Sequence, residues 1–319
     1  MRSLSGEYRR CTHGIDQAML IIGGSGFIGR HLCAWLSEKG RKAVCVSRTV
    51  PDENFLVHHA PLTEVMTRGT FDCDLETHLS RHSVVVYLAS DSIPGTFKAE
   101  PWRELSVNVE PLMRVAQAAV NAKYPPKLIY VSSGGTVYGR GKGTAFVETD
   151  PLEPISSYGY GKVAAEEALR FLRRTSGLRY AILRAANPIG RWQSSNVQGI
   201  VSAAIRAAQT GSSLTLFGGG LQVRDFFDAD DLAAAIAAAG VDSREAGVWN
   251  VGSGVGTCVI DVIRLVEEAT GRPIEISMLP GREIDVPYAV LDCGRAEADL
   301  GWMATFELRE SIARIVAAR

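Results

Sequence analysis

The 319-residue chain has no large excess of either charge, no long hydrophobic run and no metal-binding cysteine pattern. Lys and Arg number 34 against 35 Asp and Glu, a formal net charge of -1. That balance gives no global pull toward nucleic acid or an anionic membrane, so neither is an expected partner and any basic site has to be local. Apolar stretches such as 18–22 and 232–239 stop well short of the ~20 residues of a membrane span. Residues 1–17 carry Arg2, Arg9 and Arg10 but no apolar core, so they read as an N-terminal extension and not as a secretory signal. Cys11, Cys33, Cys45, Cys73, Cys258 and Cys293 form no Cys-x-x-Cys pair and have no histidines at zinc spacing. A cytoplasmic protein without disulfides or metal is the expectation. Hydrophobic residues at 46% and charged residues at 22% exclude the disordered and fibrous classes.

What is present is an alternation of short apolar runs with helical patterns. Strands are predicted at 18–23, 43–46, 84–89, 127–132 and 179–183, and helices at 31–39, 105–122 and 157–175. Unbroken Val/Ile/Leu runs are the mark of strands buried on both faces. Repeated β-α-β order then implies an α/β fold with a doubly wound parallel sheet and right-handed crossovers. After Arg184 the loops lengthen, Gly and Pro cluster at 187–190, 218–220, 252–256 and 280–281, and helices are predicted at 197–210 and 259–270. The reading is a dinucleotide-binding domain over 18–185 and a smaller C-terminal lobe over 186–319 facing the mouth of the sheet. Segments at about 225–252 return to the first domain.

Gly23-Gly24-Ser25-Gly26-Phe27-Ile28-Gly29 follows the first strand and opens the first helix. Glycine is needed there for the tight turn, for close approach of backbone to a pyrophosphate, and for helix-strand packing. The N–H groups at the helix start then face the phosphate charge. The second strand ends Val46-Ser47-Arg48-Thr49, where an acidic residue would hydrogen-bond the ribose 2′-OH of NAD. Ser47 is neutral, and Arg48 suits either a 2′-phosphate or a place over the adenine face. The cofactor is therefore NAD or NADP.

Tyr158 and Lys162 stand at i and i+4 on the predicted helix and share a face. An ammonium beside a phenol favours the phenolate, which would make Tyr158 an acid and base near neutral pH. Tyr160 has no lysine at that spacing.

Together these segments resemble the extended short-chain dehydrogenase/reductase family, in its NAD-dependent epimerase/dehydratase branch, and within it proteins like the UDP-galactose 4-epimerases. The resemblance covers roughly 18–303. It is carried by the glycine loop, Val131-Ser-Ser-Gly-Gly-Thr-Val-Tyr-Gly139, Ser157-Tyr-Gly-Tyr-Gly-Lys162, Leu183-Arg-Ala-Ala-Asn187-Pro-Ile-Gly190 and Val223-Arg-Asp-Phe-Phe-Asp-Ala-Asp-Asp-Leu232.

The resemblance implies a Rossmann-type sheet with a substrate-binding lobe. It also implies a UDP-hexose 4-epimerase holding NAD, or else an NADPH-dependent 4-keto-sugar nucleotide reductase, in either case forming a homodimer. Tyr158 would be the acid and base at the sugar 4-OH. Lys162 would bind the nicotinamide ribose and lower the tyrosine pKa. Gly23, Gly26, Phe27, Ile28, Gly29, Ser47, Arg48 and Ala89 would line the cofactor. Asn187 would touch the substrate near its phosphates, Arg224 and Arg282 would hold the diphosphate, and Phe217 would hold the uracil. Phe217 also reads as core packing and Arg282 as a surface ion pair.

The family's usual Ser or Thr two residues before Thr136 is Gly134 here, which makes Ser133 the candidate third catalytic residue. Asp72 and Asp74 are both candidates for the adenine contact. Gly134-Gly135 stands where the 4,6-dehydratases of the branch carry Asp-Glu, so dehydration is not expected.

Overall fold

The computed structural model describes residues 18–318 except 142, 195–198 and 283–284. The expected 1–17 extension, with Cys11, lies outside the described residues. In chain order the strands are β1 (Met19–Ile22), β2 (Ala43–Ser47), β3 (Thr63–Thr67), β4 (Val84–Tyr87), β5 (Lys127–Ser133), β6 (Tyr180–Ala185), β7 (Asn187–Ile189), β8 (Leu214–Phe217), β9 (Val223–Asp228), β10 (Ala246–Val251), β11 (Gly256–Cys258), β12 (Ile276–Leu279) and β13 (Tyr288–Ala289). The helices are α1 (Phe27–Glu38), α2 (Glu53–His58), α3 (Arg68–Cys73), α4 (Leu75–Ser80), α5 (Glu110–Asn121), α6 (Ser157–Ser176), α7 (Ile200–Thr210), α8 (Ala229–Val241), α9 (Val259–Thr270), α10 (Gly294–Leu300) and α11 (Leu308–Ala317).

Seven strands form an all-parallel sheet in the order β10-β6-β5-β4-β1-β2-β3, reversing direction of travel at β1, so helices cover both faces. Every residue of β1 is buried. Met19 and Ile21 point into a core built with Leu32 and Leu36 of α1 and Leu232 and Ile236 of α8. Leu20 and Ile22 point the other way, toward Leu112 and Val115 of α5 and Leu169 of α6. A third core gathers Ile189, Val201, Ile205, Leu216, Val262 and Ile312 in the C-terminal lobe. Strand β10 lies late in the chain yet pairs with β6 along Ala246–Val251. Among the described residues no helix is long and apolar enough to cross a membrane.

Three differences from the sequence reading have physical causes. Strand β3 was not expected, because Thr-Glu-Val-Met-Thr is an edge strand with half-buried sides and lacks an apolar run. Helix α1 begins at Phe27, four residues early, because the glycine loop opens directly into it. The predicted 105–122 helix is broken: Leu105–Val109 form a π turn before α5 begins at Glu110. Such wide turns concentrate at functional sites.

Candidate active site

The glycine loop is a cradle that side chains would fill. Gly23 has φ +89°, and a Cβ there would lie 2.7 Å from Ala89 N at the end of β4. A Cβ on Gly29 would lie 2.5 Å from Gly24 Cα. Gly26 caps α1 without a side-chain bond, so the first N–H groups beside Phe27 and Ile28 are not taken by a capping side chain. This arrangement suits a pyrophosphate at a helix N-terminus.

At the end of β2, Ser47 is buried and donates to Thr49 O at 2.8 Å. Arg48 is exposed and pairs with Asp91 at 2.6 Å. The carboxylate absent from β2 is thus supplied beside Arg48 by the loop after β4. Of the two adenine candidates, Asp72 pairs with Arg68 at 2.7 Å and Asp74 caps α4 through Thr77 N.

Ser156 caps α6 by accepting from Gly159 N, and the helix carries Tyr158 and Lys162 into one cleft with Ala89, Ser90, Glu104 and Tyr130. The Lys162 ammonium donates to Val131 O at 3.1 Å and lies 5.5 Å from the Tyr158 ring centroid. Burial brings Lys162 down to about 8, against the pull of Glu104 and Glu166. Burial first, and the Glu104 charge second, push Tyr158 up to about 12, while a hydrogen bond from Ser133 works the other way. The expectation that Lys162 lowers the tyrosine pKa is therefore corrected for the protein alone: its ammonium is turned onto a backbone carbonyl, and desolvation dominates.

Ser133 is the hydroxyl that reaches Tyr158. Gly134 admits no side chain, since a Cβ there would lie 2.5 Å from Leu291 Cδ1 and 3.0 Å from Arg184 O. Gly135 is open, with Asn187 Nδ2 at 3.8 Å from a Cβ placed there. Asn187 donates to Asp225 O at 3.1 Å, which ties it to β9. Arg224 on β9 is half-buried and donates to Val223 O. The Arg282 guanidinium stacks 4.3 Å above the Phe217 ring and pairs with Asp285 at 2.7 Å. Phe217 and Arg282 thus meet, and the Arg282 and Asp285 charges both act on Arg224.

Sequence reasoning missed Asp91, Glu104 and Asn108. The carboxylate Glu104 is buried, accepting from Ser92 Oγ at 2.9 Å and Asn108 Nδ2 at 2.6 Å. The only signal was two polar residues four apart at the start of a predicted amphipathic helix.

The model of the NAD dependent epimerase/dehydratase family matches residues 19–252. A UDP-glucose 4-epimerase of Mycolicibacterium smegmatis is 31% identical over 303 residues, 93% of this chain and 96% of that one. A dTDP-4-dehydro-6-deoxyglucose reductase of Escherichia coli is 27% identical over 314 residues, 93% and 96% of the two chains. The crystal structure of a Thermotoga maritima UDP-glucose 4-epimerase with UDP-glucose superposes with a TM-score of 0.84 at 29% identity, covering 95% of this chain and 98% of that one.

Proposed function

Because the chain belongs to the NAD-dependent epimerase/dehydratase family, we propose that it is a nucleotide-sugar 4-epimerase, acting on a UDP-hexose with NAD retained in the cleft. The observation that carries this is Tyr158 and Lys162 side by side on α6, in a cleft bounded by Ala89, which also packs against the glycine cradle. NAD held in the cleft would supply reversible hydride-transfer chemistry at the sugar C4.

The chain's own residues would do the rest. Tyr158 would take the 4-OH proton and give it back, with Ser133 hydrogen-bonded to its oxygen. Lys162 would hold the nicotinamide ribose. Arg224 and Arg282 would grip the diphosphate, and Phe217 would stack on the uracil. Asn187 would border the sugar-phosphate end. Gly134-Gly135 offers no acid for elimination of water. A cytoplasmic setting is part of this proposal; among the described residues Cys33, Cys45, Cys73, Cys258 and Cys293 are free.

A homodimer belongs to the same proposal. Most of the apolar face of α5 and α6 is spent on the chain's own core, through Leu112, Val115, Ala116, Ala165 and Leu169. Phe171 on α6 and Trp102 and Leu105 before α5 remain exposed for a partner copy. A monomer in light scattering at micromolar concentration would remove this part.

The second reading, an NADPH-dependent 4-keto-sugar nucleotide reductase, is favoured by Ser47-Arg48, where β2 ends without a carboxylate. An epimerase keeps its cofactor through each cycle, whereas a reductase releases it. Protein purified without added nucleotide is expected to contain near-stoichiometric NAD(H) and to interconvert UDP-glucose and UDP-galactose. Cofactor-free protein that consumes NADPH with a 4-keto sugar would install the reductase instead.

A further inference from the structure

We propose that Glu104 is a positioning residue: it is the buried counter-charge that keeps Lys162 an ammonium and Tyr158 a phenol in the resting cleft. The inference deepens the reading of Tyr158 and Lys162 as the reactive pair. Glu104 is 1% exposed and stands at the last residue before the π turn. Its Oε2 takes both hydrogen bonds, from Ser92 and Asn108, while Oε1 is buried with no partner. It forms no ion pair among the described residues. A carboxylate in that state is costly unless a positive field compensates it.

The surroundings leave one source for that field. From α6 come Tyr158, Lys162 and Glu166, from β4 Tyr87, from β5 Tyr130, and from the loop and π turn the neutral Ser92 and Asn108. Arg48, which faces the same loop, is exposed and bound to Asp91. Glu166 is already neutralised by Arg184 at 2.7 Å and Arg170 at 3.2 Å. Lys162 and Glu104 are then the two charges of the cleft without an ion-pair partner. Between Tyr158 and Lys162, α6 carries Gly161. A Cβ there would lie 2.8 Å from Glu104 Oε2 and 2.9 Å from Glu104 Cβ. The helix leaves out a side chain where the carboxylate lies against it, in the same cleft as the two reactive groups. One negative charge at that place favours the ammonium and disfavours the phenolate.

The test reads titration of the nucleotide-free protein, so it does not depend on whether the enzyme proves an epimerase or a reductase. Protein labelled at lysine Cε with carbon-13 is titrated by NMR, with the Lys162 signal assigned by its loss in Lys162→Met. Tyr158 is followed by phenolate absorbance as the difference between wild type and Tyr158→Phe. In Glu104→Gln, which keeps the shape, both midpoints are expected to move down by about one pH unit or more. Glu104→Asp, which keeps the charge, should restore most of both shifts. A Glu104→Gln protein of unchanged melting temperature whose Lys162 midpoint stays within about 0.3 units of wild type would overturn the proposal. If Glu104→Gln does not fold, Ser92→Ala decides. Freeing the carboxylate from one donor should raise both midpoints, and an unchanged pair of midpoints would equally overturn it.

Discussion

Burial displaces Tyr158 and Lys162 in opposite directions, the phenol up to about 12 and the ammonium down to about 8. At neutral pH Tyr158 therefore rests as a phenol and Lys162 mostly as an ammonium, with the lysine much nearer its midpoint than the tyrosine. Tyr158→Phe should keep the fold and nucleotide binding yet lose at least about two orders of magnitude in turnover. Turnover near wild type would remove Tyr158 from the mechanism.

Lys162 also makes a stability prediction. Its folded pKa lies below the ordinary lysine value of about 10.5, so between about pH 8 and 10.5 the unfolded chain binds more protons and stability rises with pH. The wild type should gain on Lys162→Met by up to about 1.4 kcal/mol per pH unit in that window. Urea denaturation at pH 8 and 9.5 checks this, and a constant difference would refute it.

The two arginines of the lobe should differ. Arg224 is free of ion pairs among the described residues, and Arg224→Ala is expected to weaken UDP binding by about 1.5–3 kcal/mol, the range for a hydrogen bond to a charged group. Arg282 is already held by Asp285, so its loss should weaken binding by less. Calorimetry with UDP tests the order.

At the level of elements, the turn after β5 explains the family departure at Gly134. Leu291, from the segment after β13, fills the place a side chain would take. Gly134→Ser should therefore destabilise by about 1–3 kcal/mol, as overpacking does, without raising activity. A denaturation midpoint unchanged from wild type would show that Leu291 yields.

The same turn marks what a sequence discloses. β1, β2, β4, β5 and β6 were legible because strands buried on both faces must be apolar throughout. The glycine loop and Tyr158/Lys162 were legible because their spacing in the chain is their spacing in space. Strand β3 was not, since an edge strand tolerates Thr and Glu. Glu104 and Asp91 were not, because they face Lys162 and Arg48 only after the loop behind β4 folds back. The Ser133 contact with Tyr158 depends on where β5 ends, and Leu291 behind Gly134 is more than 150 residues away.

Across the whole molecule one polar network ties these parts together. Arg184 on β6, 1% exposed, donates to Glu166 of α6, to the Tyr138 hydroxyl and to Glu148 O. Tyr138 in turn donates to Asn250 Oδ1 of β10 at 2.6 Å, and Asn250 donates to Phe146 O. Strands β6 and β10, helix α6 and the segment before α6 thus share one buried cation. Removing it leaves buried Glu166 with only the part-exposed Arg170 as its ion-pair partner, and breaking a buried pair from one side costs up to about 3–5 kcal/mol. Arg184→Met should lose that much in urea denaturation. The double variant Arg184→Met/Glu166→Gln should recover at least half, because no buried charge remains uncompensated. A double variant no more stable than the single would show that the network contributes through shape and not through charge. Where the single variant folds, Glu166 keeps only the Arg170 pair, and the net negative charge beside the cleft grows by one. The Lys162 midpoint should then rise above that of wild type, the opposite direction from Glu104→Gln.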